Sequence, residues 1–133
     1  MRRASNDASR PLLMVAALGV STAGAVYHNS REFPAMSFGA PEMISAILPA
    51  AILAVWWLVR PGRASWWATL IWVVALNLTL GAVLSVLPIP ILPFSPEQSW
   101  DHYASHILYG LAQLPAVYLL ATSRPLPSAF PLA

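Results

Sequence analysis

His102, His106, Tyr109 and Gln113 follow one another at intervals of four, three and four residues. On an α-helix that spacing places all four side chains on one continuous face. Two imidazoles one turn apart are how a helix offers two nitrogens to a single metal ion, and Asp101 adjoins the first of them. His102, His106 and Asp101 are therefore candidate metal ligands, with Glu97, Glu42 and His28 at the same end of the hydrophobic pattern. The motif has low specificity, because no Glu lies inside the His pair as it does in the metalloprotease helix. A haem between two helices would need axial imidazoles on different spans, and His28 with His106 is the available pair. The sequence assigns no cofactor.

The elements that must position this face are membrane helices. Of 133 residues 58% are hydrophobic and only 9% are charged, too little polar material to coat a soluble fold this small. Lipid-facing helices remove that requirement. Four apolar stretches read as spans at about 11–27, 41–59, 65–87 and 102–122, which makes residues 1–133 a single all-α domain, an integral membrane four-helix bundle with short loops. The absence of cysteine removes disulfides, thiolate metal sites and a Cys nucleophile.

Arginine supplies every basic residue, and its placement predicts an orientation. Arg2, Arg3 and Arg10 precede the first span, Arg60 and Arg63 lie in the tight turn between the second and third, and Arg124 follows the fourth; only Arg31 falls on the other side. Cytoplasmic loops retain Arg and Lys, so both termini are expected in the cytoplasm. Four of the five acidic residues, Glu32, Glu42, Glu97 and Asp101, then lie outside, and Asp7 inside. A composition without Lys but rich in Ala, Pro and Arg suggests a bacterial source and hence the bacterial cytoplasmic membrane. Trp56, Trp57, Trp66 and Trp67 flank the Arg60–Arg63 turn as a cytoplasmic aromatic belt, with Tyr27, Trp100 and Tyr103 as its outer counterpart.

The first span, with its basic start, apolar run and Ala23-Gly24-Ala25, also has the build of a cleavable signal peptide. Against cleavage stands a packing signal: Ala17, Ser21 and Ala25 repeat every four residues, as do Gly19 and Ala23, and small-residue stripes let membrane helices approach closely. Gln113 and Asn77 lie near the centres of the fourth and third spans, where a hydrogen bond between them would orient the two helices. Pro49 and Pro115 should kink theirs. The alternation of proline with large apolar residues over 88–96 predicts an extended strip at the outer surface, resting in the headgroups or covering the His102 and His106 face.

Several functions lack their residues. There is no phosphate-binding glycine loop, no nucleophile elbow and no basic patch for nucleic acid, and no soluble domain to carry out catalysis on a large substrate. The expectation is a small multi-pass membrane protein without catalytic activity, an accessory or structural subunit of a larger membrane complex or of a homo-oligomer, with the lipid bilayer as its other partner. The alternative is a small carrier, channel or metal- or cofactor-binding protein that uses the polar face of His102, His106, Tyr109 and Gln113, with Asn77 opposite.

Overall fold

In a computed structural model, residues 3–33, 37–90 and 95–123 are described, with side chains from Ser9 onward. Arg2, Arg124 and the Ile91–Phe94 part of the proline-rich strip lie outside the described residues, as do the side chains of Arg3 and Asp7. The chain forms helix α1 (Arg3–Glu32), α2 (Pro41–Val59), a third span and α4 (Trp100–Thr122). The third span opens as helix α3 (Arg63–Leu70), continues in wider i→i+5 turns over Ile71–Val83 and closes in a 3-10 turn at Leu84–Val86. The four segments Ser9–Glu32, Pro41–Val59, Arg63–Val86 and Trp100–Thr122 are each long and apolar enough to cross a membrane. Only 28–33% of each hydrophobic window is buried within the protein, and Leu12, Ile52, Leu80, Ile107 and Leu111 are among the large apolar side chains left on the surface.

The element boundaries follow from local chemistry. Pro41 begins α2, where its missing N–H costs nothing. Ser99 caps α4, its hydroxyl accepting the His102 amide at 3.2 Å. At the turn between the second and third spans, the Ser65 hydroxyl accepts the Gly62 amide at 2.9 Å and donates to the Gly62 carbonyl at 3.0 Å. The helix α1 is longer at both ends than the apolar run predicts. Good helix formers such as Ala4, Ala8 and Arg10 carry it upstream of Pro11. Downstream, His28 and Glu32 continue it because their partners on α4 are polar, so hydrophobicity is a poor guide to its end. α2 and α4 remain continuously helical through Pro49 and Pro115.

The helices α1 and α4 run antiparallel and form the principal interface, with α2 against α1 and the third span against α4. A matched heptad spacing organises the seam. Along α1 the buried or half-buried residues are Met14, Leu18, Ser21, Ala25, His28 and Glu32; along α4, read backwards, they are Leu120, Ala116, Gln113, Tyr109, His106 and His102. Both series step by four, three, four, three and four residues, the periodicity of a coiled-coil seam. The hydroxyl of Ser21 bonds the side-chain oxygen of Gln113, His28 meets His106, and Glu32 meets His102. One half of the seam is therefore apolar and the other polar.

At Gly24 the two helices approach closely. A Cβ built there would collide with the Ala112 Cβ, a backbone-anchored atom that cannot swing aside. Gly19, on the outward side of α1, has nothing within 4 Å of the same position. Gly24→Ala is therefore expected to cost about 1–3 kcal/mol by overpacking, whereas Gly19→Ala should change stability by less than about 0.5 kcal/mol. Reversible unfolding of both variants in mixed detergent micelles measures the difference, and equal stabilities would place the tight contact elsewhere.

Candidate functional site

The polar half of the seam begins at mid-helix and ends at the surface bearing the α1 C-terminus. At its deep end the carboxamide of Gln113, wholly buried, accepts from the Ser21 hydroxyl and donates to the Tyr109 carbonyl at 3.2 Å. One turn outward, the Tyr109 hydroxyl donates to Asn77 Oδ1 at 2.6 Å, and Asn77 Nδ2 donates to the Trp72 carbonyl at 2.6 Å. Gln113 and Asn77 do not pair with each other as the sequence suggests. Tyr109 intervenes and takes Asn77, while the small side chain of Ser21 lets α1 approach Gln113 from the other side.

Further out, four ionisable side chains converge. His28 Nε2 and His106 Nε2 are 3.0 Å apart, and His28 Nε2 is 4.0 Å from Glu32 Oε1. His102 Nδ1 lies 2.7 Å from the same carboxylate oxygen. The donor atoms of His28, Glu32 and His106 all fall within 4.8 Å of one another. His102 and His106 are buried, and His28 and Glu32 are partly so. Asp101, the acid beside His102 in the chain, is not among them: its side chain is 91% exposed and pairs at 3.9 Å with the exposed Arg31. A pair this exposed contributes little to stability.

Each member has a local cause. His28 and Glu32 are four residues apart on α1, and His102 and His106 four apart on α4, so each helix presents two groups to the seam. The sequence singles out the α4 pair and notes His28, but it counts Glu32 only as a loop charge. The missed signal is the equal spacing of Ser21, Ala25, His28 and Glu32 to His102, His106, Tyr109 and Gln113.

A cavity of about 500 Å³ adjoins the cluster, lined from all four spans by residues that include His28, Asn29, Pro49, Trp72, Asn77 and Tyr109. The wide turns of the third span shape it: Trp72 and Asn77, and likewise Leu76 and Gly81, are five residues apart and reach the same wall. Wide turns of this kind recur at functional sites. Pro49, lacking an amide hydrogen, leaves the Ser45 carbonyl without its helical donor, and both residues line this cavity.

Below Gln113 the polar groups give way to a packed core of Met14, Leu18, Leu53, Trp57, Val73, Ala116 and Leu120. Two of the four tryptophans at the Arg60–Arg63 turn belong to this interior. Trp57 Nε1 donates to Thr69 Oγ1 at 2.8 Å and Trp66 Nε1 to the Leu120 carbonyl at 3.0 Å, while Trp56 and Trp67 stay exposed.

Comparison with protein-family models, curated proteins and solved structures found no match for this chain. The arrangement gathers potential cation ligands at the surface end and can fix the register of α1 on α4, and among the described residues the seam offers no polar route through the apolar half.

The revised hydrogen-bond partners are open to a direct check. A double-mutant cycle of Tyr109→Phe with Asn77→Ala should give a coupling of about 0.6 kcal/mol and no more than about 1.7, while Gln113→Leu with Asn77→Ala should give none. Coupling in the second cycle instead of the first would restore the direct Gln113–Asn77 bond.

Proposed function

We propose that this chain is a non-catalytic, multi-pass accessory subunit of the bacterial cytoplasmic membrane, with both termini cytoplasmic, that works by packing into a larger complex or a homo-oligomer. The single observation that carries this reading is the outward face of α1. Ala17, Ser21 and Ala25 are spent within the bundle on the α4 contact, whereas the second small-residue series, Ala16, Gly19 and Ala23, remains exposed. An unfilled face of small residues beside the apolar groove of Val15, Gly19, Ala51 and Ala54 suits close approach of another helix better than it suits lipid chains.

The reading of the polar face as a carrier or channel path is less well supported. Its hydrogen-bonding groups are paired with one another at Gln113, Ser21, Tyr109 and Asn77, and the core of Met14, Leu18, Ala116 and Leu120 closes the bundle beneath them. Permeation would require opening this packed core.

Because the chain has no cysteine, orientation can be read from single introduced thiols. Gly39 and Gly62 lie in opposite connections, and neither position crowds a new side chain. On intact cells Gly39→Cys is expected to react with a membrane-impermeant maleimide and Gly62→Cys to react only after lysis; the reverse pattern would invert the topology. For assembly, native mass spectrometry from gently solubilised membranes should show the chain in a higher-order species. Gly19→Leu should release it as a folded protomer, and a wild-type protein found only as a monomer would refute the accessory role.

A further inference from the structure

The two histidines that face each other across the seam have their tautomers fixed by groups behind them. His106 Nδ1 is 3.2 Å from the Ala82 carbonyl, an acceptor only, so this nitrogen carries the hydrogen. His28 Nδ1 is 3.2 Å from Asn29 Oδ1, and the Asn29 amide is oriented by Nδ2 donating to the Glu42 carbonyl at 2.9 Å. Hence His28 Nδ1 is also the protonated nitrogen. Both Nε2 atoms then present lone pairs, and they do so at 3.0 Å from each other. Two lone pairs at that distance repel unless a positive centre lies between or beside them.

The third donor identifies the centre. Glu32 brings a carboxylate to the same point, and His102 Nδ1, 2.7 Å from Glu32 Oε1, donates to it and holds it in place. Metal-binding imidazoles characteristically donate their far N–H to a carboxylate, a backbone carbonyl or water, and metal-binding carboxylates are themselves hydrogen-bonded; His106 does so to the Ala82 carbonyl, His28 uses the amide oxygen of Asn29 in the same way, and Glu32 is held by His102. A tetrahedral ion with metal–nitrogen bonds of about 2.0–2.1 Å keeps its nitrogen ligands about 3.3 Å apart, close to the observed separation. Opposed axial ligands on a haem iron would need about 4 Å and a plane of open space between the rings, whose centroids are only 4.3 Å apart.

We propose that His28 Nε2, His106 Nε2 and a Glu32 carboxylate oxygen bind a divalent transition metal of the zinc type, with His102 as the residue that positions Glu32. Two imidazoles and a carboxylate leave one position of a tetrahedron open. His102 Nε2 is buried without a hydrogen-bond partner, so this imidazole too retains an uncommitted lone pair at the margin of the site. A polar recess of about 200 Å³, lined by Arg31, Glu32, Glu97, Ser99, Asp101 and His102, gives the ion a route in from the aqueous side. The donor set differs from the one the sequence suggested: His28 and Glu32 replace His102 and Asp101 as ligands.

The test is titration of chelator-stripped, full-length protein in detergent with Co²⁺, followed by Zn²⁺ competition and metal analysis. The expected result is one ion per chain, visible d–d absorption of a low-coordinate Co²⁺ site that Zn²⁺ abolishes, and absorption fine structure with nitrogen and oxygen neighbours at about 2.0–2.1 Å. His28→Ala and His106→Ala should abolish binding. His102→Ala should weaken it about 10–100-fold. Glu32→Gln keeps the size of the side chain and supplies the ligand test if an alanine variant fails to elute as folded protein; its binding should fall at least tenfold. The proposal is overturned if Co²⁺ shows only its hydrated spectrum, if affinity is unchanged in folded His28→Ala or Glu32→Gln, or if the imidazole pair takes up a proton and no metal at stoichiometric Co²⁺.

Discussion

The register of α1 against α4 is the constraint on which the rest of this protein depends. Gly24 permits the approach, and the Ser21–Gln113 hydrogen bond fixes its level. In a low-dielectric surrounding a carboxamide without a partner is costly, so Gln113 penalises any slippage that separates it from Ser21. A shift by one helical turn of about 5.4 Å would also bring a bulkier residue opposite Ala112. Packing and polar satisfaction thus select the same alignment, and each would be a weaker determinant alone.

That alignment divides the bundle. Toward the Arg60–Arg63 turn, seam residues are Met14, Leu18, Ala116 and Leu120, and the tryptophans Trp57 and Trp66 pack against them with their N–H groups on protein acceptors. Toward the other end the same heptad positions carry hydroxyl, phenol, imidazole and carboxylate groups. The polar half also holds the cavity walled by Trp72, Asn77 and Tyr109. Asn77 shows why the third span departs from α-helical geometry there: its amide takes the Trp72 carbonyl, five residues back, in competition with the backbone ladder. The wide turn and the polar side chain are consistent with each other, and together they turn a fourth wall toward Tyr109.

Much of this was legible in the sequence, and the exceptions share a physical origin. The four helices followed from hydrophobicity, and the shared face of His102, His106, Tyr109 and Gln113 followed from helical spacing; all four are buried on α4. What composition could not provide was the identity of the opposing residue. Gln113 and Asn77 lie at similar depth, and depth alone suggested that they meet, yet side-chain size decided otherwise because Tyr109 spans the gap to Asn77 and Ser21 leaves room beside Gln113. Glu32 was hidden for a related reason. A carboxylate at the end of an apolar run looks like the first loop residue, and only the matched spacing of α1 to α4 reveals it as a seam residue. The i→i+5 turns over Ile71–Val83 have no counterpart in a reading based on a 3.6-residue period.

The same register explains how a histidine centre can be precise without occupying the middle of the bundle. His28, Glu32, His102 and His106 sit on the last turns of α1 and the first turns of α4, where helix ends ordinarily fray and side chains are free to move. Two constraints oppose this. Behind the imidazoles, the Ala82 carbonyl reaches His106 from the third span and Asn29 ties His28 to the start of α2 through Glu42, so every span contributes to their orientation. Beneath them, the Ser21–Gln113 contact sets the axial position of one helix on the other, one heptad from His106. A substitution at Gly24 or Gln113 therefore acts on the separation of the two Nε2 atoms without touching either ring, and the packing of the seam and the chemistry of its outer end are one design problem solved by one alignment.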